Sequence, residues 1–383
     1  MPVNFAKGIQ LTLMMGPIIP LPAPRAVIDA LDSVEVHTAD DTGSGFQLTF
    51  QSTSKSALNT IFLIAAGNSV SPATPPLRVL LIVTLNGRPQ PLFDGVMTNV
   101  QVQVGGPGSP GTLTVTGDDL TKVMDSQDFS GLPFPAMPIE ARVALLCAKY
   151  AAFGIIPLPI PILFPDVQIP IDKIPAQKGT DLQYINELAR SVGYVFYIEP
   201  GPAPGTNIAY FGPEIKIGVP QPALNVDMDA LTNVESLNFK FDPTVGVLPI
   251  VFIQNQLTRV PIPIPIPNIN PLQPPLGLLP TPLANVKIMK ETAKLNPMQA
   301  ISRGLAEAAK SKDSVSADGS LDVLRYGRVL KPRGLVGVRG AGVAYDGLYY
   351  VQGVKSSLKR GEFKQSFTLT RNGLISITPK VPV

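Results

Sequence analysis

Residues 346–373 read DGLYYVQGVKSSLKRGEFKQSFTLTRNG, and far upstream residues 94–118 read DGVMTNVQVQVGGPGSPGTLTVTGD. Each stretch opens on Asp-Gly, runs through β-rich residues to a turn, and closes on a Thr-rich strand. The turn spans Gly105–Gly111 in the first and Lys359–Glu362 in the second. Two hairpins of one design, about 250 residues apart, predict two related β-barrel modules in one polypeptide. The repeat points to a symmetric building block rather than to a single catalytic cleft.

The chain of 383 residues is long enough for two or three domains with their own cores. Its net charge of +3 gives no broad basic surface of the kind that holds nucleic acid. Charged residues make up only 15%, well below the usual share, and mean hydropathy is +0.22. So little charge cannot cover a large free surface, so the chain is either membrane-embedded or buried against partners. No apolar run of about 20 residues is free of Pro and charge, which excludes a helical membrane span. The best candidate, Ile9–Pro24, is broken by Pro17, Pro20, Pro22 and Pro24, and it lacks the basic start of a signal peptide. An assembly component is the expectation. The lone cysteine, Cys147, falls mid-pattern in a helix and reads as a small core residue.

Along the chain, residues 1–25 read as an N-terminal extension and 26–130 as a first β-barrel module. Val34, Val36 and Thr38 alternate before the turn at Asp40–Gly45, and Phe46, Leu48 and Phe50 alternate after it. Leu77–Leu85 is a continuous apolar strand, followed by Asn86-Gly87, the preferred pair of a type I′ turn. Gly95 marks a bulge or a close backbone approach. Residues 131–222 read as a small α+β insert. A helix starts after Pro138 and ends at Gly154, a Pro/Ile loop covers 155–175, and Thr180 with Gln183 caps a second helix that stops at Gly193. Tyr194–Glu199 and Asn207–Phe211 then form a hairpin. A second barrel module starts at 223–259, with strands at Val234–Phe241 and Gly246–Leu257. It is interrupted by a Pro/Ile-rich arm at 260–285 and a helical insert at 286–320, and it resumes over 321–383. Within that insert Asn296-Pro297 opens a helix, and Ser311–Ser320 reads as a polar, mobile loop. The fold class expected is α+β, mainly β, with two similar tube-like barrels.

Catalytic chemistry has little to work with. His37 is the only histidine, so any triad or His-based metal site would need it. It lies in an alternating strand and reads as an ordinary strand residue. Asp40-Asp41 and Asp118-Asp119 are sequence neighbours, which point to opposite faces of a strand and suit turn or cap duty better than paired acid catalysis. Asp118 or Asp119 is expected to cap a short helix at Leu120. Gly334–Gly340 has Rossmann-like glycines but precedes no helix. The reading is a non-enzyme with no cofactor and no metal.

Two stretches are candidates for partner binding. Basic residues gather at Arg325, Arg328, Lys331, Arg333, Arg339, Lys355, Lys359, Arg360, Lys364 and Arg371. They form either a solvated strand face or a surface that meets an acidic patch, with Arg339, Lys359 and Arg360 as contacts. The segment Val260–Leu283, VPIPIPIPNINPLQPPLGLLPTPL, cannot donate a full ladder of hydrogen bonds and reads as extended rather than central sheet. It is too apolar for a solvated linker, so it is expected to pack on a neighbouring subunit through Ile262, Ile264, Ile266, Leu276 and Leu278. On that reading its deletion leaves the domains folded and weakens assembly.

The segment KGTDLQYINELARSVGYVFYIEPG, 178–201, resembles the helix-plus-strand signature of the phage baseplate hub family. That family includes late-control-D proteins, tail hubs of contractile phages and the N-terminal region of VgrG spike proteins. Thr180, Asp181, Leu182, Tyr184, Ile185, Leu188, Ala189, Gly193 and Tyr194 carry the match. GEFKQSFTLTRNG, 361–373, is similar to the family's terminal strand through Phe367, Leu369 and Arg371. PLFDGVMTNVQVQV, 91–104, with Thr114–Asp119, looks like its first-module strand. The resemblance implies a homotrimeric ring with pseudo-sixfold symmetry, adapting a hexameric inner tube to a trimeric spike, with a wedge or tape-measure protein as a further partner. It implies assembly in the cytoplasm and residence in a tail-like particle or virion baseplate. The chain ends after the second module, so a separate spike protein is expected. The Pro/Ile segments are longer than the family pattern, and lining the lumen or clasping a wedge or tape-measure protein both stay open for them. A cell-wall hydrolase of the particle and a secreted β-rich adhesin are the alternatives; the absence of Trp and of a signal speaks against the second.

Overall fold

The alternating residues of the N-terminal third build one edge of a large sheet. The structure, a computed structural model, describes residues 3–6, 8–39, 43–52, 57–68, 75–106, 111–162, 174–254, 260–266, 273–289, 297–310 and 313–378. The Asp40-Asp41 pair, Asn296, Ser311 and the middle of both Pro/Ile segments lie outside these residues. In chain order the first part comprises β1 (Val3–Ala6), β2 (Ile9–Gly16), β3 (Leu21–Pro22), α1 (Arg25–Ala30), β4 (Leu31–Ala39), β5 (Gly45–Ser52), α2 (Ala57–Asn68), β6 (Arg78–Leu85), β7 (Arg88–Gln103) and β8 (Gly111–Asp119). Val34, Val36, Phe46, Leu48 and Phe50 are all buried on one face, as their alternation predicts. Asn86 and Gly87 both have positive φ, +50° and +79°, as a type I′ turn requires. Gly95 is a close approach rather than a bulge: a Cβ there would sit 2.2 Å from the carbonyl oxygen of Asp118.

The insert follows with α3 (Thr121–Met124), α4 (Ile139–Ala148), β9 (Ile155–Pro159), α5 (Asp181–Val192), β10 (Val195–Pro200) and β11 (Asn207–Gly212). Asp119 accepts hydrogen bonds from the backbone and hydroxyl of Thr121, a turn that leads into α3; the N-cap itself is Leu120, without a side-chain cap, which corrects the capping role expected of Asp118 or Asp119. Thr180 accepts from the Gln183 amide at 3.2 Å, and Gly193 closes α5 at φ +73°. The Gln183 side chain donates to Asp125, which also accepts from the Thr180 hydroxyl. The first part of the 155–175 segment is not a loop: β9 pairs parallel with β11. Its Pro157 and Pro159 are tolerated because β9 is an edge strand of this three-stranded sheet. Cys147 is fully buried in the insert's own core, beside Leu146 and Ile185. Burial and the nearby Asp181 carboxylate push its thiol up to about 12. Ellman's reagent at pH 8 is therefore expected to label the native chain about a thousandfold more slowly than the unfolded chain. Labelling at equal rates would show that Cys147 is exposed.

The second part comprises β12 (Gln221–Asn225), β13 (Val234–Phe241), β14 (Val247–Gln254), β15 (Pro261–Pro265), β16 (Gly277–Pro280), β17 (Asn285–Ile288), α6 (Pro297–Lys310), β18 (Val315–Asp322), α7 (Val323–Tyr326), β19 (Leu335–Arg339), β20 (Gly347–Lys359), β21 (Glu362–Arg371) and β22 (Gly373–Ser376). The expected polar loop at 311–320 is largely the strand β18, paired on both sides by β13 and β21. Its small residues mislead because packing demands them: a Cβ on Gly319 would meet Phe367 at 2.7 Å and the Ser236 carbonyl oxygen at 2.6 Å. Only Val315, Ala317 and Leu321 need to face the core, and all three are buried.

The two parts repeat one topology. In the first, strands lie in the order β6-β7-β8-β5-β4; in the second, β19-β20-β21-β18-β13, with the same chain order within each unit. The irregularities repeat too. The β4–β5 ladder shifts between Leu31 and Ser33, and the β13–β18 ladder shifts between Val234 and Ser236. The β7–β8 ladder shifts between Met97 and Asn99, and the β20–β21 ladder shifts between Val351 and Gly353. Matching bulges at matching places are features of a shared design rather than accidents of drawing hairpins. The expectation of two barrels is corrected: among the described residues neither unit closes on itself. β4 instead pairs with β20, so the two units run together as one 14-stranded sheet, with a hydrophobic core shared by both. The outer edge of β4, which a barrel would join within its own unit, is spent on joining the repeats.

Candidate assembly surface

The arm is anchored mainly on its own chain. β15 pairs antiparallel with β14, β17 pairs parallel with it, and α6 covers this small sheet. Pro261, Pro263 and Pro265 are accommodated because, among the described residues, β15 is an edge strand paired only with β14. β16 then pairs with β22 at the end of the chain. Ile266 is buried against Val251 and Ala300, and Leu276 against Leu335 and Tyr350. These two side chains are buried within their own chain. Ile264 is half-buried against the same small core, while Ile262 and Leu278 are exposed. Leu279, Leu283, Val286 and Ile288 on the same insertion are exposed as well, an apolar surface of the kind that marks contact with other molecules.

The basic cluster is similarly divided. Arg371 is fully buried, so it belongs to no basic face. Lys355 pairs with Glu35 at 2.8 Å across the β4–β20 joint, and Lys364 pairs with Glu235 at 3.1 Å. Arg333 is half-buried, with its guanidinium 4.0 Å over the Tyr197 ring and its Nη2 donating to the Ala39 carbonyl at 2.7 Å. Arg339 is half-buried, Lys359 is exposed, and Arg360 is exposed while donating to the Asp29 carbonyl at 3.0 Å. The residues singled out from the sequence are therefore not brought into one patch of shared chemistry.

Arg333 borders a cavity of about 180 Å³ where the first unit, the insert and the second unit meet, lined also by Asp94, Asp119, Glu199 and Lys331. Burial raises Asp119 and Glu199 above the ordinary carboxylate range, while Arg333 pulls both down. His37 lies on the other side of the strand ladder, in register with Lys355. Among the described residues no group of three or more His, Cys, Asp or Glu could hold a metal ion, and no helix is long and apolar enough to cross a membrane.

What sequence reasoning missed are two open sheet edges. Among the described residues nothing pairs with the outer edge of β13, nor with β7 beyond Met97 on the side away from β8. In the second unit the corresponding stretch of β20, from Gly353 onward, is covered by β4. The consequence shows in burial: Val354 is 3% exposed, while its counterpart Val100 is only half-buried and Val104 is 73% exposed. Unpaired N–H and C=O groups along a strand are a template for another strand.

No protein-family model matches the chain, and no curated protein matches it in sequence. Solved structures do match its fold. A tail protein from Neisseria meningitidis superimposes with a TM-score of 0.63 at 14% identity, over 96% of this chain and 98% of that one. The 43 kDa tail protein of prophage MuSo2 from Shewanella oneidensis gives 0.62 at 13% identity, over 94% and 98%. A Francisella PdpA–VgrG complex gives 0.55 at 9% identity, covering all of this chain and 55% of that one. Over nearly its whole length, the chain has the fold of prophage tail proteins, and it shares that fold with VgrG-containing complexes.

Proposed function

We propose that this chain is the structural hub of a contractile tail or injection system. Three copies form a ring in which six near-equivalent units meet a hexameric inner tube on one side and a trimeric spike on the other. The observation that carries this reading is the duplication: one chain holds two units of the same strand order and the same bulges, joined edge to edge. A closed ring of such chains presents twice as many units as it has chains, which is what an adaptor between sixfold and threefold partners needs. The likeness to tail proteins supports the same role. The low charge and the exposed apolar residues of the insertion suit a protein that lives against neighbours, with a wedge or tape-measure protein as a further candidate. On this reading the chain performs no catalysis, assembles in the cytoplasm and then resides in the tail-like particle or virion baseplate.

The test is the mass of the full chain, tagged and purified from cells that also make the candidate tube and spike proteins. Three copies of the chain with both partners attached are the expected composition. A 40.7 kDa monomer, with and without the spike, would sink the hub reading.

A further inference from the structure

Ile215 and Ile217 turn outward, 38% and 47% exposed, while the lysine between them points inward. Lys216 is only 5% exposed, although it lies in the irregular stretch between β11 and β12. Its Nζ donates to Asp313 Oδ2 at 2.6 Å, stands 3.6 Å from Glu214 Oε2, and lies 5.0 Å from the centre of the Tyr350 ring. Gln273 of the arm, itself buried, donates to Glu214 Oε2 at 2.7 Å and fixes that carboxylate beside the amine. Tyr350 packs with Leu276 and Leu335 as the apolar wall of the site. Exposing two isoleucines to bury an ammonium runs against the hydrophobic effect and costs the ammonium its hydration. The other lysines paired with carboxylates among the described residues are 33% to 55% exposed.

We propose that Lys216 and Asp313 condense into an intramolecular isopeptide bond, with Glu214 as the proton relay. The amine nitrogen already touches a carboxylate oxygen, which places it roughly 3–3.5 Å from the carboxyl carbon, the separation of a near-attack arrangement. Glu214 takes a proton from the ammonium, the freed lone pair attacks Asp313 Cγ, and an N–C bond forms. Glu214 carries this proton, and then a second one from the nitrogen, to the departing oxygen, and the C–O bond breaks. One ammonium and one carboxylate become one amide and one water, with no change of oxidation state and no co-reactant. The product is neutral, so the reaction removes both charges from a site largely shielded from solvent. It happens once per chain, without turnover. The residues it joins are 97 positions apart, one at the exit of the insert and the other just ahead of β18. The arm and α6 are then held inside a covalent loop, whether or not the chain joins a ring.

The test is the intact mass of the full purified chain under denaturing conditions, followed by tryptic mapping. A mass about 18 Da below that of the sequence, one water, is expected. Trypsin should then fail to cut after Lys216, so that residues 191–240 are recovered joined to residues 313–325. Lys216→Arg keeps the positive charge but not the nucleophile and should restore the full mass, as should Asp313→Ala. Glu214→Gln should slow bond formation about a hundredfold, the contribution of a positioned acid–base group, followed as mass against time after a pulse of synthesis. Far-ultraviolet circular dichroism of each variant checks that it is folded. A parent chain of full mass that trypsin cuts after Lys216, unchanged by prolonged incubation, overturns the bond and leaves an ordinary ion pair. The same mass loss with the two peptides recovered separately also overturns it, and would place the lost water at an Asp-Gly succinimide such as Asp318-Gly319. Bond formation at the parent rate in Glu214→Gln overturns the relay and leaves the bond standing.

Discussion

Asp94→Ala is expected to cost about 3–5 kcal/mol, because it strips the partner from a fully buried arginine. Arg78 donates through Nε to Asp94 Oδ1 at 2.8 Å and through Nη2 to Oδ2 at 2.6 Å, a bidentate pair with side chains 2% and 0% exposed. The same guanidinium donates to the carbonyls of Ile18 and Gly205, each at 2.9 Å, and Asn207 Nδ2 donates to Asp94 Oδ2 at 2.9 Å. One buried charge pair thus ties the N-terminal segment and the insert to the first unit. Truncation leaves Arg78 charged, dry and held only by carbonyls. Replacing both partners, as Arg78→Met with Asp94→Leu, should recover most of the loss, since the cost lies in the orphaned charge rather than in the absence of a pair. Urea unfolding followed by circular dichroism measures the effect. Limited proteolysis should show the 131–222 insert cut first in Asp94→Ala. Equal stability of Asp94→Ala and the parent chain would mean that water reaches this site.

Arg371→Ala should cost about 4 kcal/mol, for a different reason. Its guanidinium is buried, feels the Asp346 carboxylate but forms no salt bridge among the described residues, and is spent on backbone carbonyls: Nε to Gly373 at 2.7 Å, Nη1 to Asp346 at 2.9 Å and Nη2 to Ala344 at 2.6 Å. The Tyr349 ring lies 4.5 Å from its central carbon. Removing the side chain leaves three carbonyls dry and opens a cavity under Tyr349. Arg371→Lys should fall between the two, because an ammonium carries the charge but cannot fork to three separated carbonyls. A denaturant midpoint for each of the three chains decides this. If lysine proves as costly as alanine, geometry governs; if it proves harmless, the charge alone does. The Arg371 position in the terminal-strand pattern is therefore a structural clamp that locks the start of β20 to the end of β21.

Much of the local structure is legible in the residues. Alternation placed β4, β5 and β13; Asn86-Gly87 dictated its turn; Thr180 and Gly193 bounded α5; and the paired Asp-Gly hairpins announced the repeat. Each of these depends on interactions within a few residues, so the residue types carry the signal. β9 and β18 were not legible. One is rich in proline and the other in small polar residues, and each becomes a strand only because a distant neighbour supplies its hydrogen bonds. Arg371 looked like a surface cation because nothing in its sequence neighbours says that the carbonyls of residues 344–346 will converge on it.

The sequence by itself determined that the chain is mainly β, duplicated, poor in charge and equipped with a buried, unreactive cysteine. Only the tertiary structure decided that the two units share one open sheet instead of closing into two barrels, and which edges remain unpaired. The physical reason is that edge-to-edge joining is made by backbone N–H and C=O groups, which every residue but proline carries alike. Which strand they meet depends on where the rest of the chain has placed it.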